Sequence, residues 1–161
     1  MKILILGASY GSLLSTKLLM AGHDVTLICR SKSAALINAE GTEVRIKLRD
    51  EDSHRAFRSY DLAGTLDAVT PADARPEDYD MISLAMQEPQ YSEPQVRDLM
   101  QRIAASRKPC LSIMNMPPLP FLRRIDALAE APLEMCFDDA SVWADFEPGL
   151  MSLCSPDPQA F

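Results

Sequence analysis

The chain has 161 residues, 47% hydrophobic and 24% charged, which is globular composition and neither disordered nor membranous. That length suits one domain able to bury about 68–70% of its extended surface, with no room for a second of any size. A formal net charge of −7 leaves no basic field to draw in a polyanion and excludes nucleic acid as a partner, although a few N–H groups and one arginine can still make a local anion site.

The chain is organised around its first thirty residues. Lys2 to Leu6 is an apolar run with little alternation, as in a central strand of a parallel sheet covered on both faces. Gly7-Ala8-Ser9-Tyr10-Gly11-Ser12 follows as a small-residue turn, and then a helix from about Gly11 to Ala21 that presents Leu13, Leu14, Leu18 and Leu19 to the sheet. Gly22 stands where a helix stops, and Asp24 to Cys29 reads as a second strand. This is strand, tight turn, helix, strand: the opening of a nucleotide-binding βαβ unit. Glycine at the strand-to-helix turn lets backbone approach a diphosphate, and the helix N-terminus offers it unpaired N–H groups.

Ser31 is placed to cap a second helix with the body Ala34 to Ala39, ending near Gly41. From Thr42 the period changes. Val44, Ile46 and Leu48 alternate with charged residues, Arg49 to Ser53 is a charged turn, and His54 to Tyr60 returns as a partner, giving an antiparallel edge hairpin. Thr65 to Thr70 is a short strand, and Pro71 to Asp80 an acidic connection. Met81 to Met86 reads as another central strand, Glu93 to Ala105 as a helix with Val96, Leu99, Met100 and Ile103 on one face, and Cys110 to Met114 as a buried strand ending at Asn115. Three prolines, Pro117, Pro118 and Pro120, exclude helix interior and central strand. A helix over 121–131, a strand over 133–137, an apolar hook at Val142-Trp143 and a strand over 150–154 complete the series. The fold class expected is α/β: Rossmann-like, with a mostly parallel sheet, helices on both faces and the antiparallel hairpin.

In such a sheet the ligand crevice lies beyond the C-terminal strand ends. This collects Gly7 to Ser12, Arg30 with Ser31 and Lys32, Met86 with Gln87, and Asn115 as candidate site residues. A NAD site places an acid after the second strand to accept from the ribose hydroxyls, about 20 residues past the glycines; here Arg30 stands 23 residues after Gly7 and suits a 2′-phosphate, which favours NADP. Ser9 and Ser12 replace glycines of Gly-x-Gly-x-x-Gly. A glycine turn without nucleotide binding and a plain surface arginine are the bland alternatives. Cys29, Cys110, Cys136 and Cys154 form no CxxC pair and are expected as buried thiols in a reducing compartment. His23 and His54 stand near no cysteine at ligand spacing, so no metal site is expected. The apolar run that breaks at Gly7 is too short for a signal peptide or a membrane span, making the cytoplasm the default.

These residues resemble a known family. Lys2 to Ala8, Gly11 with Gly22-His23 eleven residues after it, Val25-Thr26-Leu27 and Arg30 resemble the N-terminal NADP-binding domain of the ketopantoate reductases, or 2-dehydropantoate 2-reductases. Asp80 to Gln90 resembles the family's cofactor-side strand and loop, and Leu111 to Asn115 the strand leading to its asparagine. The resemblance implies NADP(H) as cofactor and hydride transfer to a 2-keto acid once a helical C-terminal domain completes the site. It implies Gly7, Ala8 and Gly11 at the diphosphate, Arg30 at the 2′-phosphate, and Asn115 near nicotinamide and substrate. Two departures stand out: the glycine loop is one residue shorter than usual, and Gln87 occupies the place of the family's lysine. The principal catalytic lysine belongs to the second domain and is absent. The expected organisation is a nucleotide-binding domain over 1–150 and a linker or tail over 151–161, beginning the connection to the absent domain. A non-catalytic nucleotide-binding or regulatory module, and an opine or other 2-hydroxy-acid dehydrogenase domain, remain alternative readings. A sheet face lacking its second domain would also favour a homodimer.

Overall fold

The central strand β1 (Lys2–Leu6) is buried along Ile3 to Leu6 and divides two layers of core between its alternate side chains. Ile3 and Ile5 face a cluster with Leu14 and Leu19 of helix α1 (Ala8–Met20), Val25 and Leu27 of β2 (Asp24–Ile28), and Ala34 of α2 (Ser31–Glu40). Leu4 and Leu6 face the opposite cluster, with Val96, Leu99, Met100 and Ile103 of a later helix and the aromatic residues Tyr91, Trp143 and Phe146. A strand covered on both faces needs the near-continuous apolar run that this sequence carries. The computed structural model describes residues 1–47, 51–114 and 116–154. Leu48, Arg49, Asp50, Asn115 and residues 155–161 of the linker expected over 151–161 lie outside the described residues.

The remaining strands are β3 (Glu43–Lys47), β4 (His54–Arg58), β5 (Leu66–Val69), β6 (Met81–Leu84), β7 (Cys110–Ser112) and β8 (Met151–Leu153), and the third long helix is α3 (Pro94–Ser106). Six strands form one sheet in the order β5-β2-β1-β6-β7-β8, every adjacent pair parallel. Helices α1 and α2 cover one face and α3 the other. The hairpin β3-β4 is antiparallel and forms a separate two-stranded sheet. This is a Rossmann-like α/β fold, with its strand order reversing between β1 and β6.

Several expectations need correction. Helix α1 starts at Ala8 rather than Gly11, because Gly7, at φ 103°, turns the chain from strand to helix in one residue and its carbonyl accepts from Gly11 N–H at 3.1 Å. Ser31 is the first helical residue of α2 and not its cap; Arg30 holds that position and accepts from Ala34 N–H at 2.9 Å. The strands at 81 and 110 end at Leu84 and Ser112. The expected helix over 121–131 is a single turn, α4 (Leu119–Leu122), followed by a 3-10 turn at Asp126–Leu128. The Arg123 guanidinium donates to the carbonyls of Ala129 and Ala131 and folds that segment back. Leu133–Cys136 is a 3-10 turn instead of a strand. Cys136 and Cys154 are exposed, and only Cys110 is fully buried, where burial pushes its thiol up to about 12.

Side chains tie the strands in register. Asn38 of α2 donates to Ala68 C=O and accepts from Ala68 N–H, both at 2.8 Å, and so satisfies part of the outer edge of β5. Asp24 at the start of β2 accepts from Thr65 N–H at 3.2 Å and Thr65 Oγ1–H at 2.8 Å. These bonds hold the Asp24 carboxyl below the usual carboxylate range. A depressed carboxylate contributes stability that is present above its unfolded pKa of about 4 and is lost as pH falls through its lower folded value. Asp24→Asn should therefore flatten the acid limb of the stability curve below about pH 4, read as the urea midpoint against pH. An unchanged slope would show that the Thr65 contacts do not depend on the charge.

Candidate functional site

The C-terminal ends of β1, β2, β5 and β6 open into a cleft of about 830 Å³, within the usual range for a small-molecule or cofactor site. Its floor is the strand-to-helix turn. Gly7 N–H donates to Ile28 C=O at 3.1 Å, and Ala85 N–H donates to Leu6 C=O at 2.9 Å, so three strand ends meet there. A Cβ on Gly7 would stand 2.7 Å from the Ala85 carbonyl oxygen and 2.9 Å from Met86 Cγ. Gly11 faces the sheet, where a Cβ would stand 2.7 Å from Ile5 Cγ2. The first glycine sets the turn, and the second lets α1 lie close on β1.

The first turns of α1, α2 and α3 all contribute to the cleft lining: Ala8, Ser9 and Tyr10; Ser31 and Ser33; Gln95 and Val96. In helix geometry the earliest N–H groups have no partner one turn back, and their dipole end is positive. None of these first turns carries an acidic residue. The charged lining residues are Arg30 and Glu93. Arg30 is exposed, and its guanidinium makes no hydrogen bond or ion pair among the described residues. Cys29 beneath it is half-buried, and burial raises its thiol. The arrangement can receive an extended anion with one more negative group at the β2 end.

Two walls flank this floor. On the β5 side Thr70, Pro71 and Ala72 line the cleft, held by Arg102 of α3, which donates to the carbonyls of Pro71 at 2.6 Å and of Ala74. On the β6 side lie Met86, Gln87 and Gln90. Met86 N–H donates to Tyr91 Oη at 3.1 Å, and Gln87 N–H to Gln90 Oε1 at 2.9 Å. The Gln87 side chain accepts in return from Gln90 N–H, closing a capping box. Glu88 is buried and accepts from Asp138 N–H at 3.2 Å. Tyr91 is completely buried, and desolvation holds its phenol well above the ordinary tyrosine value, so the hydroxyl stays neutral.

The structure gathers Gly7, Ala8, Ser9, Tyr10, Arg30, Ser31, Met86 and Gln87 on one cleft. Gly11 and Ser12 do not line it: Gly11 is buried against β1, and Ser12 Oγ donates to Ala8 C=O one turn back. Asn115 lies outside the described residues. Sequence reasoning placed the 86–90 loop, and with it Gln90, at the crevice, but missed Ser33, the 70–72 wall, Glu93 and Gln95. The 70–72 wall depends on β5 pairing with β2, which no local pattern announces, and Glu93 and Gln95 belong to the cap and first turn of α3, beyond the 86–90 loop that the strand-end rule marks. Among the described residues no group of three or more His, Cys, Asp or Glu gathers to hold a metal ion, and no helix is long and apolar enough to cross a membrane.

An all-parallel sheet with helices on both faces and a cleft at the strand-order reversal defines the doubly wound α/β class. Residues 3–115 match the family model of ketopantoate reductase PanE/ApbA, and the chain belongs to that family. The structure described as a "putative ketopantoate reductase" from Ralstonia solanacearum is similar, with a TM-score of 0.64 and 18% identity over 95% of this chain and 44% of that one. A PanE/ApbA family ketopantoate reductase from Ralstonia eutropha matches 81% of this chain and 38% of its own, at 17% identity and a TM-score of 0.47. The chain thus spans less than half the length of either structure. No curated protein matches it.

The Gly7 turn has a direct test. Alanine there adds a Cβ at positive φ and within 2.7 Å of backbone, so Gly7→Ala should destabilise the protein by about 2–4 kcal/mol in urea unfolding. Gly149→Ala, where a Cβ meets only Glu147 Oε1 at 3.9 Å, should stay within about 0.5 kcal/mol of the parent. Equal effects at the two positions would show that the close approach at Gly7 is not limiting.

Proposed function

We propose that this chain binds NADP(H) in the cleft and serves as the cofactor-binding part of a 2-dehydropantoate 2-reductase-like oxidoreductase, acting on a 2-keto acid when a second, helical domain completes the site. The observation that carries this reading is the unpartnered Arg30 guanidinium at the end of β2, on the same cleft as the first turn of α1. The residues fit the group. Backbone N–H groups of Ala8, Ser9 and Tyr10 would hold the diphosphate, Arg30 with Ser31 the 2′-phosphate, and Met86 and Gln87 would border the nicotinamide end. Membership in the ketopantoate reductase family supports the same cofactor. When bound, the reduced cofactor supplies the hydride, and this chain's residues orient it and exclude water from one side.

A proton donor for the resulting alkoxide is a separate requirement. Among the described residues the cleft lining contains no lysine or histidine, its remaining groups able to donate a proton being Tyr10, Cys29 and Glu93, and the backbone and side chain of Gln87 are both engaged with Gln90. This observation favours a second reading for the 161-residue chain by itself: nucleotide binding without turnover. Under either reading the purified chain is expected to oxidise no NADPH when given 2-keto acids, and appreciable oxidation would refute the need for a second domain.

Calorimetric titration checks the cofactor assignment. The chain should bind NADPH more tightly than NADH, and Arg30→Ala should weaken NADPH by about tenfold to a hundredfold, the usual effect of losing hydrogen bonds to a charged group, while leaving NADH nearly unchanged. A folded protein that binds no dinucleotide would overturn the proposal.

A further inference from the structure

The β6-side wall of the cleft is fixed by a residue that does not touch the cleft. We propose that Tyr91 is a positioning residue: by accepting the Met86 N–H it sets the loop that faces the half of the dinucleotide remote from Arg30. The inference rests on the NADP(H) reading and deepens it.

Sheet order supplies the geometry. Arg30 follows β2, the Gly7 turn follows β1, and Met86 follows β6, so the cleft runs across three adjacent strand ends in that sequence. With the 2′-phosphate end at Arg30 and the diphosphate over the first turn of α1, the far half of the ligand reaches Met86 and Gln87. The loop there is short, Met86 and Gln87 leading directly into a 3-10 helix at Glu88–Ser92. After Ala85 leaves the sheet, Met86 N–H has Tyr91 Oη as its partner at 3.1 Å.

Tyr91 is suited to hold that bond. It is completely buried, and its ring meets Trp143 edge-on with centroids 5.4 Å apart. Trp143 in turn packs against Phe137 at 6.4 Å and Phe146 at 5.6 Å. The hydroxyl is therefore presented from a close-packed aromatic cluster in which rotation of the ring would open a void. Met86 also lies against the Gly7 turn, where its Cγ is one of the atoms nearest a would-be Gly7 Cβ. Releasing Met86 would let the wall shift relative to the diphosphate floor while Arg30 and the α2 turn stay in place.

Tyr91→Phe keeps the ring and the Trp143 contact and removes only the hydroxyl. The readout is the affinity for NADPH set beside that for adenosine 2′,5′-bisphosphate, which reaches the Arg30 end alone. The variant should lose about fivefold to tenfold in NADPH affinity, the loss expected for one hydrogen bond with its donor left unpaired, and bind the bisphosphate as the parent does. Exchange of the Met86 amide proton, measured without ligand, should be at least tenfold faster in the variant, with Trp143 emission unchanged.

Equal loss for both ligands would mean a general structural defect and overturn the proposal. Unchanged NADPH affinity, or unchanged Met86 exchange, would overturn it as well. If the parent binds neither NADPH nor the bisphosphate, the cofactor reading fails and takes the proposal with it. Binding by the parent without the split in the variant removes the proposal alone.

Discussion

The structure depends on a close approach that only glycine permits. At Gly7 the chain leaves β1, turns at φ 103° and enters α1, while the Ala85 carbonyl and the Met86 side chain of the next strand's loop lie where a Cβ would be. One turn later Gly11 lets α1 settle on Ile5. Together these contacts bring a helix N-terminus to the point where the strand order reverses. The cleft exists because neighbouring strands send their following segments to opposite faces of the sheet. Had residue 7 carried a side chain, either the turn or the β6 loop would have to move, and the floor of the cleft would move with it.

Charge is distributed to suit that floor. The protein as a whole is acidic, yet the cleft combines three helix first turns free of acidic residues with one unpartnered arginine and a single carboxylate, Glu93 at the cap of α3. The other described arginines, Arg75 excepted, donate to carboxylates or carbonyls, such as Arg97 to Asp139, Arg102 to Pro71 and Arg124 to Met151. Those groups spend their hydrogen-bonding capacity on the fold. Arg30 on the cleft has no such partner among the described residues, and a charge-assisted hydrogen bond is roughly twice as strong as a neutral one. A net charge of −7 repels an anion at long range, so an anion in this cleft would have to be held by short-range contacts.

The first half of the fold was legible in the sequence because its signals are local. Ile3 to Leu6 and Val25 to Ile28 are apolar runs of strand length, and Gly22 closes α1 where His23 N–H reaches Leu18 C=O at 3.0 Å. Arg30, Met86 and Gln87 lie on the cleft at strand ends, the place that the general rule for ligand crevices marks. The helix start was misplaced because a small-residue stretch after a strand reads as an extended loop, while a single glycine dihedral makes the whole turn. From Leu119 to Glu147 local signals place the apolar hook at Val142-Trp143, which is buried, but not the secondary structure around it. That segment is shaped by individual long-range ties, including Arg123 to Glu134, Arg97 to Asp139 and Tyr91 against Trp143, and none of them leaves a period in the sequence.

The same irregular segment explains how the cleft keeps its shape. Helix α3 lies between the two walls. Through Arg102 it holds the 71–74 carbonyls on the β5 side, and through Arg97 it ties Asp139 and Ser141 of the segment that carries Trp143. Trp143 backs Tyr91, and Tyr91 holds Met86 on the β6 side. Both walls are therefore referred to one helix, whose Val96, Leu99, Met100 and Ile103 are locked into the core at about 1.5–3 kcal/mol of burial each. Neither wall belongs to the sheet itself, and each is held by only a few hydrogen bonds. Seating them on one well-packed helix fixes their separation without requiring either to be rigid alone, and leaves Arg30, on the α2 side, as the part of the cleft whose contacts are independent of that brace.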